Sequence, residues 1–144
     1  KKLFDKADPT FPGAGAAGGI GFAFMTFLKG KLRGGIDLIL KETRLEEEVE
    51  TADLVITGEG RLDFQTAMGK APAGIAGIAK KYNKPVIAFS GCATDDAGVC
   101  NDCGIDAFFP ILRGVSTLED AMNKENARKN MALTAEQAMR LFMI

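Results

Sequence analysis

"DLVITGEGRLDFQTAMGKAPAGIAGIAK", residues 53–80, decides the fold. Its apolar opening is short and β-branched, which predicts a buried strand over 53–57. Residues 57–74 then hold four glycines, two acids, two bases, a glutamine and two threonines, the composition of a loop. Gly74-Ile75-Ala76-Gly77-Ile78-Ala79 is small and apolar, and predicts a helix over about residues 71–82. A strand that feeds a helix through a polar, glycine-rich loop is where α/β proteins place their ligand.

The rest of the chain extends that pattern. Pro85 to Ser90 reads as a second buried strand closed by Gly91, and residues 105–110 as a third. Between them "DDAGVCNDCG" predicts a short helix begun by Asp95 or Asp96 and stopped by Gly104. "STLEDAMN" opens as a capping box, with Ser116 or Thr117 three residues before Glu119 or Asp120. Residues 124–144 form one long helix whose Met131, Ala135, Ala138, Met139 and Phe142 make an apolar stripe. Upstream, the Pro/Gly/Ala loop at 8–19 leads into the apolar helix "IGFAFMTFLKG". Residues 34–52 are amphipathic, with Ile36, Ile39, Leu40, Leu45 and Val49 on one face. Strands alternating with helices over 53–144 predict a parallel sheet in a three-layer, Rossmann-like α/β arrangement.

Bulk properties exclude several function classes. The 144 residues suffice for one cored domain, and 47% of them are apolar. The formal charge of −1 is spread evenly, so neither nucleic acid nor a membrane surface is an expected partner. No apolar stretch reaches the roughly 18 residues of a membrane span. The start, Lys1-Lys2-Leu3-Phe4, has no initiator Met and no secretory segment, and reads as a cut edge. Cys92, Cys100 and Cys103 are an odd set without a signal peptide, which points to a reducing cytoplasm. Cys100-Asn101-Asp102-Cys103 is a CxxC, but the chain has no His and no second close pair. The thiols read as small structural side chains before they read as zinc ligands or a redox dithiol.

Two glycine motifs resemble known phosphate loops and fail on context. Gly13-Ala14-Gly15-Ala16-Ala17-Gly18 satisfies GxGxxG, with Asp37 about 20 residues on, yet "KADPTFP" before it is no strand, so NAD is not expected. Gly69-Lys70 lacks the upstream glycine and the following Ser or Thr of a P-loop. The underlying physics still applies. Glycines let backbone N–H groups approach an anion at a helix start, and Lys70 and Arg61 supply positive charge. Glu59 and Asp63 are then candidates for a magnesium ion or for a base that orients a hydroxyl. The plainer reading pairs Arg61 with Asp63 at the surface and makes a turn of Gly58 and Gly60.

"PGAGAAGGIGFAFMTFL", "ADLVITGEGRLDFQT", "GKAPAGIAGIAKK", "PVIAFSG" and "GIDAFFPI", in that order, resemble the C-terminal part of the type 1 glycerate kinase family. The terminal "NARKNMALTAEQAMRLF" resembles its closing helix. The likeness runs over nearly the whole chain, and GEGxxDxQTxxGKAPxG is a specific pattern. It implies ATP-dependent phosphorylation of D-glycerate to 2-phosphoglycerate, with ATP and Mg2+, in a cleft between two α/β domains. Family members are well over twice as long, so the chain is expected to be a fragment without activity of its own. Residues 1–50 would be the remnant of an inserted second domain and 51–144 the C-terminal part of the Rossmann-like domain. Its partners would be D-glycerate, ATP and the missing N-terminal part, with a homodimer left open.

Carried over by position, Glu59, Asp63 and Lys70 are the implied catalytic residues, with Glu59 and Asp63 also implied for the metal. Gly58, Gly60, Arg61, Gln65, Thr66 and Gly69, with Gly13, Gly15, Gly18 and Gly19, are implied for substrate and phosphate. The cysteine segment departs from the pattern, which supports the structural reading of the thiols. The alternative is a non-catalytic binding or regulatory module for a small phosphorylated metabolite.

Overall fold

The structure, a computed structural model, describes residues 8–144; the side chain of Asp37 is outside that description. The chain start, Lys1-Lys2-Leu3-Phe4, lies outside the described residues. By its contacts the chain divides into two units, Lys1–Ile39 and Leu40–Ile144.

In the first unit, the Pro/Gly/Ala loop winds back on itself before helix α1 (Ala16–Leu28) runs out. Ala17, Gly18 and Gly19 all take positive φ, at 50°, 70° and 98°, which kinks the start of α1. Two of the three are glycines because the left-handed region strains any side chain. The Phe22 N–H donates to the Ala14 carbonyl at 2.9 Å, and a side chain at Gly21 would strike the Gly13 carbonyl oxygen. Gly21 therefore serves the close return of the backbone, and Gly18 and Gly19 the left-handed turn before it. The unit ends within α2 (Gly35–Glu42).

The amphipathic stretch after it is two helices. Arg44 adopts φ 52° and breaks the run, so α2 is followed by α3 (Leu45–Thr51). Leu40 and Val49 are buried as the periodicity requires, while Ile39 is exposed. α3 lies beside α5 (Ala71–Lys81), where Lys81 Nζ meets Glu46 Oε1 at 3.0 Å.

The second unit holds a three-stranded parallel sheet in the order β1 (Val55–Leu62), β2 (Val86–Ala93), β3 (Ala107–Pro110). Between β1 and α5 lies a single turn, α4 (Phe64–Ala67), and between β2 and β3 a 3-10 turn at Asp95–Gly98 leads into α6 (Val99–Asp102). After β3 come α7 (Leu118–Met122) and α8 (Lys124–Phe142). α5 packs on β1 and β2, and α8 covers β2 and β3 from the other side. On that side Phe89, Ile111 and Ala138 form a cluster with Ile87, Phe109 and Ala135. The stripe on α8 is therefore core at its middle, and Met131 and Phe142 at its ends stay exposed.

Two strands run further than the sequence predicts. β1 continues five residues into the expected loop, through Leu62, and β2 continues through Gly91 to Ala93. The ladder pairs Gly58 with Phe89, Glu59 with Ser90 and Arg61 with Cys92. Glycine is a poor strand former in isolation, but here it lets two backbones approach closely. A Cβ on Gly58 would collide with the Phe89 carbonyl oxygen, and one on Gly91 would sit 2.5 Å from the Gly60 oxygen. Nor is β1 buried on both faces: it is an edge strand, and Ile56 is 53% exposed beyond the cover of α8.

A candidate anion and phosphate site at the carboxyl edge of the sheet

β1 hands the chain to α4 at Asp63, and that residue organises the turn into the helix. Its Oδ1 accepts from the Gln65 N–H at 3.0 Å, capping α4. The Asp63 N–H in turn donates to Thr66 Oγ1 at 3.3 Å, completing a capping box. Thr66, fully buried, donates its hydroxyl to Glu59 Oε1 and so ties the strand carboxylate to the helix. Beneath, Cys100 Sγ lies 3.6 Å from the Asp63 carbonyl oxygen.

Charge is concentrated on this frame. Arg61 Nη2 and Nε reach Asp63 Oδ2 at 2.9 and 3.1 Å. Lys70 Nζ stands 3.7 Å from Glu59 Oε2 and 3.7 Å from Asp63 Oδ1, so two carboxylates converge on one ammonium. Burial would raise the Asp63 pKa, but the Arg61 hydrogen bond, the Lys70 charge and the Gln65 N–H outweigh it. The carboxyl is held below its ordinary 3.8. Gly69, at φ 99°, makes the sharp entry to α5, whose first turn begins at Lys70 with Pro72 just inside.

Several sequence-predicted residues thus meet in space: Glu59, Arg61, Asp63, Thr66 and Lys70, with Gln65 contributing its backbone N–H. Gly58 and Gly60 lie in β1, not in a turn. Nor is Asp63 half of a surface pair: it is 4% exposed, so its charge is held by design of the fold. Gly13, Gly15, Gly18 and Gly19 belong to the first unit, where Gly13, Gly18 and Gly19 take positive φ.

Sequence reasoning missed other residues here. Thr94, Asp95 and Asp96 join Arg61, Asp63 and Phe64 around a concavity of about 360 Å³. Their position directly after an apolar strand was the available signal. Ser90, in register with Glu59, is 1% exposed and its hydroxyl has no partner among the described residues.

The thiols are unpaired: Cys92 is exposed, Cys100 buried and Cys103 between. Burial raises the pKa of Cys100 and of Cys103. Among the described residues no group of three or more Cys, Asp or Glu is arranged to hold a metal, and no helix is long and apolar enough to cross a membrane. Glu59 and Asp63 remain a pair of hard oxygen donors aimed at one cationic point. That suits a magnesium ion shared with a ligand's phosphates, which needs only one or two protein carboxylates.

The fold and this cluster define an α/β protein with an acid–base–glycine site at the end of a parallel strand. A model of the glycerate kinase family matches residues 1–143, and the chain belongs to that family. It is 48% identical over 134 residues to a protein of Escherichia coli K12 named glycerate 2-kinase, covering 90% of this chain and 35% of that protein. A glycerate kinase of Haemophilus influenzae is 44% identical, over 98% of this chain and 35% of its own length. A crystal structure of a protein from Salmonella typhimurium LT2, described as a glycerate kinase 2, superposes with a TM-score of 0.56. It is 42% identical over 88% of this chain and 34% of that one. These names overturn the type 1 assignment: the relationship runs to glycerate 2-kinase, type II, and not to type 1. The chain spans about a third of the length of the curated relatives it matches.

Proposed function

We propose that this chain is part of an ATP-dependent glycerate kinase that phosphorylates D-glycerate at its 2-hydroxyl. The observation that carries the reading is the convergence of Glu59 and Asp63 on Lys70 at the carboxyl end of β1, in a chain of this family. Phosphoryl transfer asks a protein chiefly for positioning and for charge opposite the phosphate oxygens. Lys70 and the more exposed Arg61 supply that charge, and the start of α5 adds the favourable end of a helix dipole. Gly60 and Gly69, with open space where a Cβ would stand, leave their backbones approachable. Glu59 and Asp63 would hold Mg2+, which when bound neutralises phosphate charge. With the hydroxyl of a bound acid, one of the two would take up the proton, and Thr66 fixes Glu59 for either task.

Residues 1–50 would then belong to a second domain and 51–144 to the Rossmann-like one. The remaining length of the enzyme would supply the other wall of the cleft. A cytoplasmic setting suits three unpaired thiols.

The test is turnover of ATP and D-glycerate by the full-length enzyme beside the 144-residue chain alone. Activity is expected in the former and none in the latter, since half a cleft forfeits much of the roughly 7–11 kcal/mol that positioning contributes. A full-length enzyme that binds glycerate without turning it over would make this a binding module and end the kinase reading.

A further inference from the structure

The same edge of the sheet carries a second polar concavity, two strands away from Glu59. Where β3 ends, the chain loops through residues 111–117 into α7. This loop, Asp120 of α7 and the first turns of α8 line an open concavity of about 320 Å³. Arg113 enters from the loop and Lys129 from the helix, with Ser116, Asn126 and Asn130 between them. Neither cation forms an ion pair among the described residues. In the same set, no backbone N–H from 112 to 117 donates to a backbone carbonyl. Gly114 has open space where a side chain would stand, so the backbone is approachable at that point. The one acid in the lining, Asp120, already accepts the Thr117 hydroxyl at 2.7 Å. Two cations against one engaged carboxylate leave the lining positive.

We propose that this concavity is a second anion site, built for a phosphate group and separate from the Glu59–Asp63–Lys70 cluster. A phosphate carries close to two negative charges and three acceptor oxygens. A guanidinium fork, an ammonium and a run of free N–H groups match that demand better than they match a single-charged planar carboxylate. At about 320 Å³ the concavity has ample room for a phosphate group. The carboxyl edge of a parallel sheet is the side on which such ligands gather. The proposal does not depend on the kinase reading. Within that reading the phosphate has two sources, the nucleotide or the phosphorylated acid.

The experiment is a titration of the 15N-labelled 144-residue chain with inorganic phosphate at constant ionic strength, chloride serving as the control. Amides of 112–117 are expected to shift and saturate with phosphate and not with chloride. Arg113→Gln and Lys129→Gln should each weaken that binding about tenfold or more. ADP saturating the same amides at lower concentration than 2-phosphoglycerate assigns the nucleotide as the source, and the reverse order assigns the acid. Shifts that follow ionic strength alone overturn the proposal. So does saturation confined to residues 59–70, or unchanged affinity in both variants. Glycerate turnover, measured separately, decides the kinase reading and leaves this outcome untouched.

Discussion

Gly58→Ala, set beside Gly60→Ala and Gly91→Ala, separates what the GEG stretch does for the fold from what it does for a ligand. Paired strands lie about 4.8 Å apart, which leaves little room for a side chain aimed along the ladder. An alanine Cβ at position 58 lands on the carbonyl oxygen of Phe89. That oxygen belongs to β2, the central strand, gripped by β1 on one side and β3 on the other. It cannot rotate away as a flexible side chain would. At position 91 the contact is 2.5 Å to the Gly60 oxygen, so the backbones must part by about 1 Å to restore ordinary packing. Overpacking of this kind typically costs about 1–3 kcal/mol, and a rigid backbone neighbour places both variants at or above the upper end. Position 60 has nothing within 4 Å of its Cβ and lies outside the left-handed region. Alanine there should change stability by no more than about 1 kcal/mol, in the stabilising direction, because it restricts the unfolded chain. Urea unfolding of the three variants reads this out as a shift in midpoint at constant slope. Equal losses at 58 and 60, or a negligible loss at 58, would refute the packing account. The stretch would then be glycine-rich for its ligand alone.

Ser90→Ala removes a buried hydroxyl that has no partner among the described residues, so stability should hold or rise by about 1 kcal/mol, measured by the same unfolding curves. A marked loss would reveal a partner for that hydroxyl. In the full-length enzyme, Asp63→Asn keeps a side chain able to cap α4 but discharges the partner of Arg61 and Lys70. Its kcat should fall at least about 100-fold, and its melting temperature should fall with it because the site is buried. Acid sensitivity has a definite sign. Burial pushes Asp106 up, but Lys80 at 2.5 Å and the Val86 N–H at 2.7 Å leave it, like Asp63, below 3.8. Both carboxylates therefore stabilise the fold fully above that pH, and the contribution is lost as pH falls through their folded values. A melting curve against pH should drop below 3.8, and Asp106→Asn should flatten part of that drop.

The three parallel strands were legible because buried strands announce themselves as continuous apolar runs, and Val86–Phe89 and Ala107–Phe109 do so without a polar interruption. The end of β1 was not. Thr57-Gly58-Glu59-Gly60-Arg61 has the composition of a loop, and its extension comes from the ladder to β2, a non-local cause that no local propensity carries. Arg44, too, was not legible: its left-handed backbone splits a stretch that reads as one amphipathic helix. At the candidate site, residue types and strand-end position sufficed to gather Glu59, Arg61, Asp63 and Lys70. They could not show that Asp63 is buried, because burial depends on α4 and α6 folding over it. Thr66 was carried over by resemblance alone. Its bridge between a strand carboxylate and a helix cap becomes visible only in three dimensions.

That bridge explains how one set of side chains can hold the fold and also serve a ligand. Glu59, Asp63, Arg61 and Lys70 sum to no net charge, and their pairings stitch the end of β1 to the start of α5. Lys70 is the loosest member: it sits 3.7 Å from each acid and its side chain is 42% exposed. Arg61 reaches further into solvent, at 60%, though its bonds to Asp63 are shorter. In the proposed phosphate site, an arriving anion competes for these two cations and not for the carboxylates, of which Asp63 is buried and Glu59 half-buried. Turning Lys70 outward breaks the longest ion-pair contacts of the cluster and leaves the shorter Arg61–Asp63 pair intact. It also uncovers two carboxylates that then share one uncompensated neighbourhood. Such a pair would suit a divalent cation shared with a phosphate in the proposed site, with Thr66 holding Glu59 and the Gln65 N–H holding Asp63 in place.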